Sequence, residues 1–316
     1  MSVSYKVEHT TRFQYPIPVS VCHNVVCLTP RATPLLTVRH AALTITPRPT
    51  VVAERIDGFG NVTHAFSIEE PHDALVVHAS AGVTVHPPTT TGQPGPAWEQ
   101  VAQAVADQSD TGWLEAYPFL YDSALVARTR EARELVEQAF TPGRPVLDAA
   151  LALTRLIHEQ FAYKPGSTHV GTTSAQAIAE RRGVCQDFAH AQIAALRSIG
   201  LPARYVSGYL RTVPPPGQPR LVGVDQSHAW VGVYAGTALG WVEMDPTNAM
   251  ACGTDHIPLA VGRDYNDVAP IRGAFLGGGE SQLAVTVDVE MLGEQPGRAQ
   301  ASPSKKPPAT NRAPEA

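Results

Sequence analysis

A cysteine in the first turn of a helix is a nucleophile in preparation, because unfilled backbone N–H groups and the positive end of the helix dipole both favour thiolate over thiol. Cys185 stands in such a place. The segment Cys185 to Ile199 (CQDFAHAQIAALRSI) holds neither Gly nor Pro, Gly183 lies just before it, Gly200 sits where a left-handed C-terminal residue belongs, and Pro202 follows. A thiolate needs a histidine to pair with and to protonate a leaving amine, and a third group to orient that imidazole. Twelve histidines are available. His190, on the same helix, lies about 140° around the axis at ~100° per residue and faces elsewhere. His228 is the stronger candidate because it opens a strand (HAWVGVY) whose hairpin partner (LGWVEMD) ends at Asp245. A four-residue loop over Ala235 to Ala238 would set Tyr234 against Leu239 and His228 directly opposite Asp245, with Cβ atoms about 4.5 to 5.5 Å apart on one face. A one-residue slip would turn the two side chains to opposite faces.

The elements that must position these residues fall into two groups. At 316 residues and 43% hydrophobic, the chain is long enough for about two cores. Residues 5 to about 85 read as short β-branched runs (YKVEHTTRFQY, VCHNVVCLT, VRHAALTIT, VVAERI, VTHAFSIE, ALVVHASAGVTVH), with turns at Tyr15-Pro16, at Thr46 to Pro49 and at Asp57-Gly58-Phe59-Gly60-Asn61, the last needing a positive φ. This predicts an antiparallel β-sandwich over 1–90. The stretch 86–97 (HPPTTTGQPGPA) reads as a linker. Beyond it, 98–108, 122–140 and 146–161 are helical in pattern, with Leu147, Leu151, Thr154, Ile157 and Phe161 as one core-facing stripe. The helix starting at Cys185 is followed by strands ARYVSGYLRT, SHAWVGVY and GWVEMDPT and, at 281–292, by one more. The second unit is therefore an α+β domain over 91–292 with helices first and an antiparallel sheet second, and 293–316 reads as a disordered tail.

These blocks resemble a known family. Gly183-Val184-Cys185-Gln186-Asp187-Phe188-Ala189-His190, Gly208-Tyr209-Leu210, Ser227-His228-Ala229-Trp230 and Asp245-Pro246-Thr247-Asn248 are similar to the core motifs of bacterial transglutaminase-like proteins. The opening region, with Tyr5 to Thr11, Pro30-Arg31 and Asp57 to Asn61, is similar to the β-rich domain that often precedes that core. The resemblance implies a papain-like transglutaminase core with Cys185 as nucleophile, His228 as general base and acid and Asp245 as orienting carboxylate. Animal cross-linking transglutaminases usually carry Trp after the nucleophile, whereas Gln186-Asp187 here is the variant typical of the bacterial branch, which includes peptidases and amidases as well as acyl transferases. No D-x-D-x-D-G loop points to calcium.

An attack of Cys185 on an amide carbonyl would form a thioester, and water or a second amine would decide the product. The oxyanion needs donors, each worth about 3 to 4 kcal/mol. The Cys185 N–H is one, and Tyr163 or the Gln186 side chain could supply another, although Tyr163 could equally finish the preceding helix in the core. Asp187 could complement the helix dipole or shape the site. Trp230 and Trp241 could wall the cleft or pack the core. The loop 212–220 and the Gly- and Asp-containing segment 251–280 would border the cleft.

Other chemistries are less well supported. A net charge of −5 offers no basic field for nucleic acid, and no apolar run reaches the ~18 residues of a membrane span. Four cysteines (Cys22, Cys27, Cys185, Cys252) without a C-x-x-C pair fit neither a disulfide scaffold nor a zinc framework, and Cys22 and Cys27 read as buried small residues. No cofactor or metal is expected, a Cys185/His228 metal site lacking further ligands. The expected partners are a peptide, protein or small amide and an amine acceptor, in a cytoplasmic setting. The alternative reading is a protein-binding scaffold that retains the triad without turnover.

Overall fold

The computed structural model describes residues 1–88, 93–212 and 226–293, so the proline-rich stretch 213–220 and the tail from 294 lie outside the described residues. The chain begins with β1 (Val3–Thr29), β2 (Leu36–Thr46), β3 (Val51–Ile56), β4 (Val62–Ile68) and β5 (His72–Val85). Helices α1 (Trp98–Ala106), α2 (Trp113–Ala116), α3 (Arg130–Glu137) and α4 (Val146–Gln160) follow, then β6 (Ala162–Tyr163), α5 (Ser174–Glu180), β7 (Arg182–Gly183) and α6 (Cys185–Ser198). The remainder is β8 (Ala203–Leu210), β9 (Gln226–Tyr234), β10 (Trp241–Asp245), β11 (Met250–Ala251), β12 (His256–Gly262), α7 (Tyr265–Val268), β13 (Ile271–Gly277) and β14 (Gln282–Met291).

The N-terminal β-module takes the form of one curled antiparallel sheet, ordered β2-β5-β1-β4-β3, with β13 and β14 also paired to β1. Its organising element is β1, which runs on for 27 residues where the sequence suggested a turn at Tyr15-Pro16. Pro16 and Pro18 lack the N–H that a ladder requires, so pairing with β5 lapses between Gln14 and Val19 while the strand continues. That lapse lets β1 change partners. Its first half lies between β5 and β14, and residues 22–26 lie between β4 and β13. The strand at 281–292, counted with the second unit from sequence, is thus hydrogen-bonded into the first sheet, as is β13, cut from the 251–280 segment. Periodicity reports that a strand forms but carries no information about its partner.

In the second unit a five-stranded antiparallel sheet, ordered β11-β10-β9-β8-β12, packs against the helices. Helix α6 is central, buried from Gln186 to Arg197. It ends as expected, with Gly200 at φ +80°. The helical pattern read at 122–140 narrows to Arg130–Glu137, because Thr129 caps the start by accepting from the Ala132 N–H. Helix α5, unanticipated from sequence, opens on a capping box of Thr173 and Gln176. The expected stripe on α4 faces the core, with Thr154 and Ile157 fully buried. Among the described residues no helix is long and apolar enough to cross a membrane.

The two units share side-chain contacts that come from the motifs singled out at the N-terminus. Tyr5 Oη donates to Asp255 at 3.0 Å, and His9 Nδ1 meets Tyr209 Oη at 3.1 Å. In the Asp57–Asn61 turn, Gly60 has φ +82°, and Asp57 Oδ1 accepts from the Phe59 and Asn61 N–H groups. The Asn61 amide then pairs with Val261 like a one-residue strand, donating to its C=O at 2.7 Å and accepting from its N–H at 2.9 Å. Phe59 of the same turn packs against a small cluster of Val206, Trp230, Cys252 and Val261 beneath the β8-β9 strands.

Candidate active site

Three elements converge on one imidazole. Cys185 is the first residue of α6 and is half-buried, while the N–H groups of Asp187 and Phe188 close the first turn on the Val184 carbonyl. His228 lies on β9 and is 9% exposed, and Asp245 ends β10 with no exposure. His228 Nε2 donates to Asp245 Oδ2 at 2.8 Å, and the ring lies near enough to Cys185 for that side chain to favour its charged form. With Nε2 committed to a carboxylate, Nδ1 is the ring nitrogen left to exchange a proton with a thiol. Burial by itself depresses the His228 pKa, but the interactions with Asp245 and Cys185 outweigh it and raise the value to about 9.

The hairpin reaches this geometry in a register different from the one counted in the sequence. Trp241 pairs with Tyr234 and Met244 with Val231, so the connection is Ala235 to Gly240 and not the four residues counted. The longer turn is closed by the Ala235 N–H on the Gly240 carbonyl, with Gly236 at φ +86° and Gly240 at φ +65°. The pairing moves by two residues, and an even shift keeps side chains on their faces. His228 and Asp245 therefore meet along a diagonal and not directly across.

Asp245 is tied on both oxygens. Oδ1 accepts from the N–H groups of Thr247 (2.9 Å) and Asn248 (3.2 Å). Oδ2 accepts from His228, from Asn248 Nδ2 at 2.7 Å and from His256 Nε2 at 3.0 Å. Burial opposes ionisation, but these donors hold the carboxyl far below the usual carboxylate range. Asn248 was quoted in the sequence motif without a role, and His256 was not singled out. His256 arrives on β12, which joins the sheet beside β8, so no local spacing announces it.

The other candidate residues are placed as follows. Gln186 donates its side-chain amide to the Val170 carbonyl at 3.0 Å, which tethers the loop before α5 to the start of α6 and occupies one of its donors. Tyr163 is 49% exposed in β6, where it pairs with Gly183, and its pKa is raised by burial and by the nearby Cys185. It does not finish α4 in the core. Asp187 is buried, and its Oδ2 accepts from the Val184 N–H at 2.8 Å and from Thr168 Oγ1 at 2.7 Å. It therefore fastens the entry of the helix. Gly183 is required by this arrangement, since a Cβ there would lie 2.4 Å from Asp187 Oδ2. Trp230 is fully buried, with its ring edge-on to His256 at 5.3 Å and its Nε1 donating to Glu243 at 2.8 Å, so it supports the site from below and does not line a cleft. Gly208 leaves room for that indole, as a Cβ would fall 2.3 Å from it. Trp241 lies under the Arg204 guanidinium, 4.4 Å from its ring centre. Within 251–280 only the early part adjoins the site, because β13 belongs to the first sheet.

His228, Asp245 and His256 place three potential metal donors within 4.8 Å of one another. Their hydrogen bonds assign them differently. His256 Nδ1 accepts from the Gly253 N–H at 3.3 Å, so Nε2 carries the proton and has no lone pair to give a cation.

Known proteins of transglutaminase-like sequence share the fold that carries these residues. Residues 5–84 match the bacterial transglutaminase-like N-terminal region, and residues 133–246 match the transglutaminase-like superfamily core. An uncharacterized Mycobacterium tuberculosis protein is 36% identical over 293 residues, spanning 90% of this chain and 92% of its own length. An uncharacterized Mycobacterium leprae protein is 34% identical over 294 residues, spanning 91% and 98%. A protein-glutamine gamma-glutamyltransferase of Pseudomonas aeruginosa is 35% identical over 158 residues, which are 49% of this chain and 23% of that protein. A candidate cysteine protease from Cytophaga hutchinsonii has the same fold, with a TM-score of 0.71 at 22% identity over 92% of this chain and 91% of that one. The chain belongs to the bacterial transglutaminase-like family.

Proposed function

We propose that the chain is a cysteine enzyme that cleaves or transfers an amide-linked acyl group through a thioester on Cys185. The observation that supports this most directly is the His228 imidazole held between the Cys185 side chain and the buried Asp245. In this reading the proton of the thiol passes to Nδ1 of His228, and the thiolate adds to the carbonyl carbon. The oxyanion is met by the Cys185 N–H, which lies ahead of the first intrahelical bond. Collapse of the tetrahedral adduct breaks the C–N bond, and His228 returns the proton to the departing amine. Water or an amine then attacks the thioester, with His228 taking its proton, and the acyl group leaves as an acid or a new amide.

The substrate class is a peptide, a protein or a small amide, with an amine acceptor for transfer. The four unpaired thiols are compatible with a reducing, cytoplasmic setting. Iodoacetamide labelling near neutral pH tests the nucleophile, because the other thiols serve as internal controls. Burial raises the pKa values of Cys22 and Cys252 and pushes that of Cys27 up to about 12. Cys185 is expected to label at least tenfold faster. Equal, slow labelling of all four would sink the enzyme reading in favour of a binding scaffold. Mass spectrometry of a peptide library, with and without added amine, then separates shorter products from amine adducts. Cys185→Ala is expected to remove both while leaving the fold intact, with a loss of at least about 10³-fold.

A further inference from the structure

We propose that His256 is a positioning residue of the reaction, one that shares the charge of Asp245 and so keeps the His228 imidazolium acidic enough to protonate the leaving amine. The inference rests on the acyl-transfer reading above and adds a fourth side chain to it.

The geometry carries the argument. Asp245 Oδ2 accepts from three donors at 2.7, 2.8 and 3.0 Å, and two of them are imidazoles. A carboxylate oxygen that is divided among donors pulls less on each one. His256 is built to be such a donor in its neutral form, since the Gly253 N–H on Nδ1 fixes the proton on Nε2. Its ring is 3% exposed and packed edge-on against Trp230, so it cannot turn away. The ionisable groups facing this network are few. Cys185 from α6 and Asp245 from β10 act on His228, while His228 and His256 act on Asp245. Cys252 lies nearby, but burial holds it as the thiol, and Glu243 is engaged by Trp230 Nε1.

Without His256, Asp245 would hold the His228 proton more tightly. The imidazolium would become a weaker acid, and release of the amine would slow. A side chain that only filled space would have the opposite signature or none. The comparison is between the full chain, His256→Phe, which keeps a ring against Trp230, and His256→Gln, which keeps a donor. NMR titration of His228 reads its pKa directly, and the pH profile of iodoacetate alkylation at Cys185 reads it through the thiolate–imidazolium pair. In His256→Phe both are expected to move to higher pH by about one unit, and His256→Gln is expected to restore most of the shift. A folded His256→Phe protein whose His228 titrates at the same or lower pH overturns the proposal. Should that variant not fold, nitrogen NMR of the unaltered protein decides, since a His256 proton on Nδ1 is incompatible with donation to Asp245. A parent protein whose Cys185 is no more reactive than its other thiols removes the acyl-transfer reading and this role together, whereas an unchanged profile over a reactive parent removes only the role.

Discussion

At the residue scale, the proposed chemistry depends on an imidazole whose proton is held more firmly in the folded chain than in the unfolded one. The folded pKa of His228 is raised to about 9, above the unfolded value of ~6.5. Its contribution to stability is therefore fully present below about pH 6.5 and is lost as the pH rises through 9. The thermal midpoint is expected to fall across that interval in the native chain and to stay flatter in His228→Ala, with the difference measured by calorimetry; parallel curves would contradict the ion-pair geometry. The positions of Cys185 as the first residue of α6 and of Asp245 as the last of β10 were legible in the sequence, because Gly, Pro or strand periodicity announces those ends, and His228 lies two residues inside β9. His256 was not, since its place depends on β12 pairing with β8 and on the space that Gly208 leaves for Trp230.

At the element scale, the start of α6 is a fastened joint. Asp187 ties the Val184 N–H and Thr168 together, and Gly183 passes close against the Asp187 side chain. Gly183→Ala is expected to destabilise the chain by about 1 to 3 kcal/mol, the usual cost of overpacking a tight site, and to slow alkylation of Cys185 as the helix entry shifts. Chemical denaturation and the labelling rate check both, and an unperturbed variant would mean that the joint has slack. Helix α6 was readable because it is bounded by residues that cannot extend it. The hairpin was readable in face but not in register, because whether Ala235 to Gly240 folds as a four- or six-residue turn depends on backbone bonds that composition does not encode. The continuity of β1 through Pro16 and Pro18 was hidden for a related reason: along each half one of its two neighbours, β14 or β13, lies more than two hundred residues away.

At the scale of the whole molecule, the β-module supports the five-stranded sheet. Asn61 supplies both a donor and an acceptor to buried Val261 backbone groups. Asn61→Ala leaves those groups unpaired and is expected to cost about 2 to 4 kcal/mol, read as a shift in the urea midpoint. A fragment beginning near residue 91 is expected to be poorly soluble, because β13 and β14 would lose the strand to which they are bonded. A soluble, monodisperse fragment with native circular dichroism would show that the two units fold independently.

The pairing of Tyr5 with Met291 has a consequence for biosynthesis. A ribosome that has already delivered Cys185, His228 and Asp245 has not yet delivered β13 and β14, which complete the pairing of β1. The first strand must wait, one edge bare, until residues 271–291 have been made, and closure of the sheet is then a long-range event. A nascent chain stalled before residue 271 would carry Cys185, His228, Asp245 and His256 on an unfinished scaffold, open to the proteases that clear incomplete proteins.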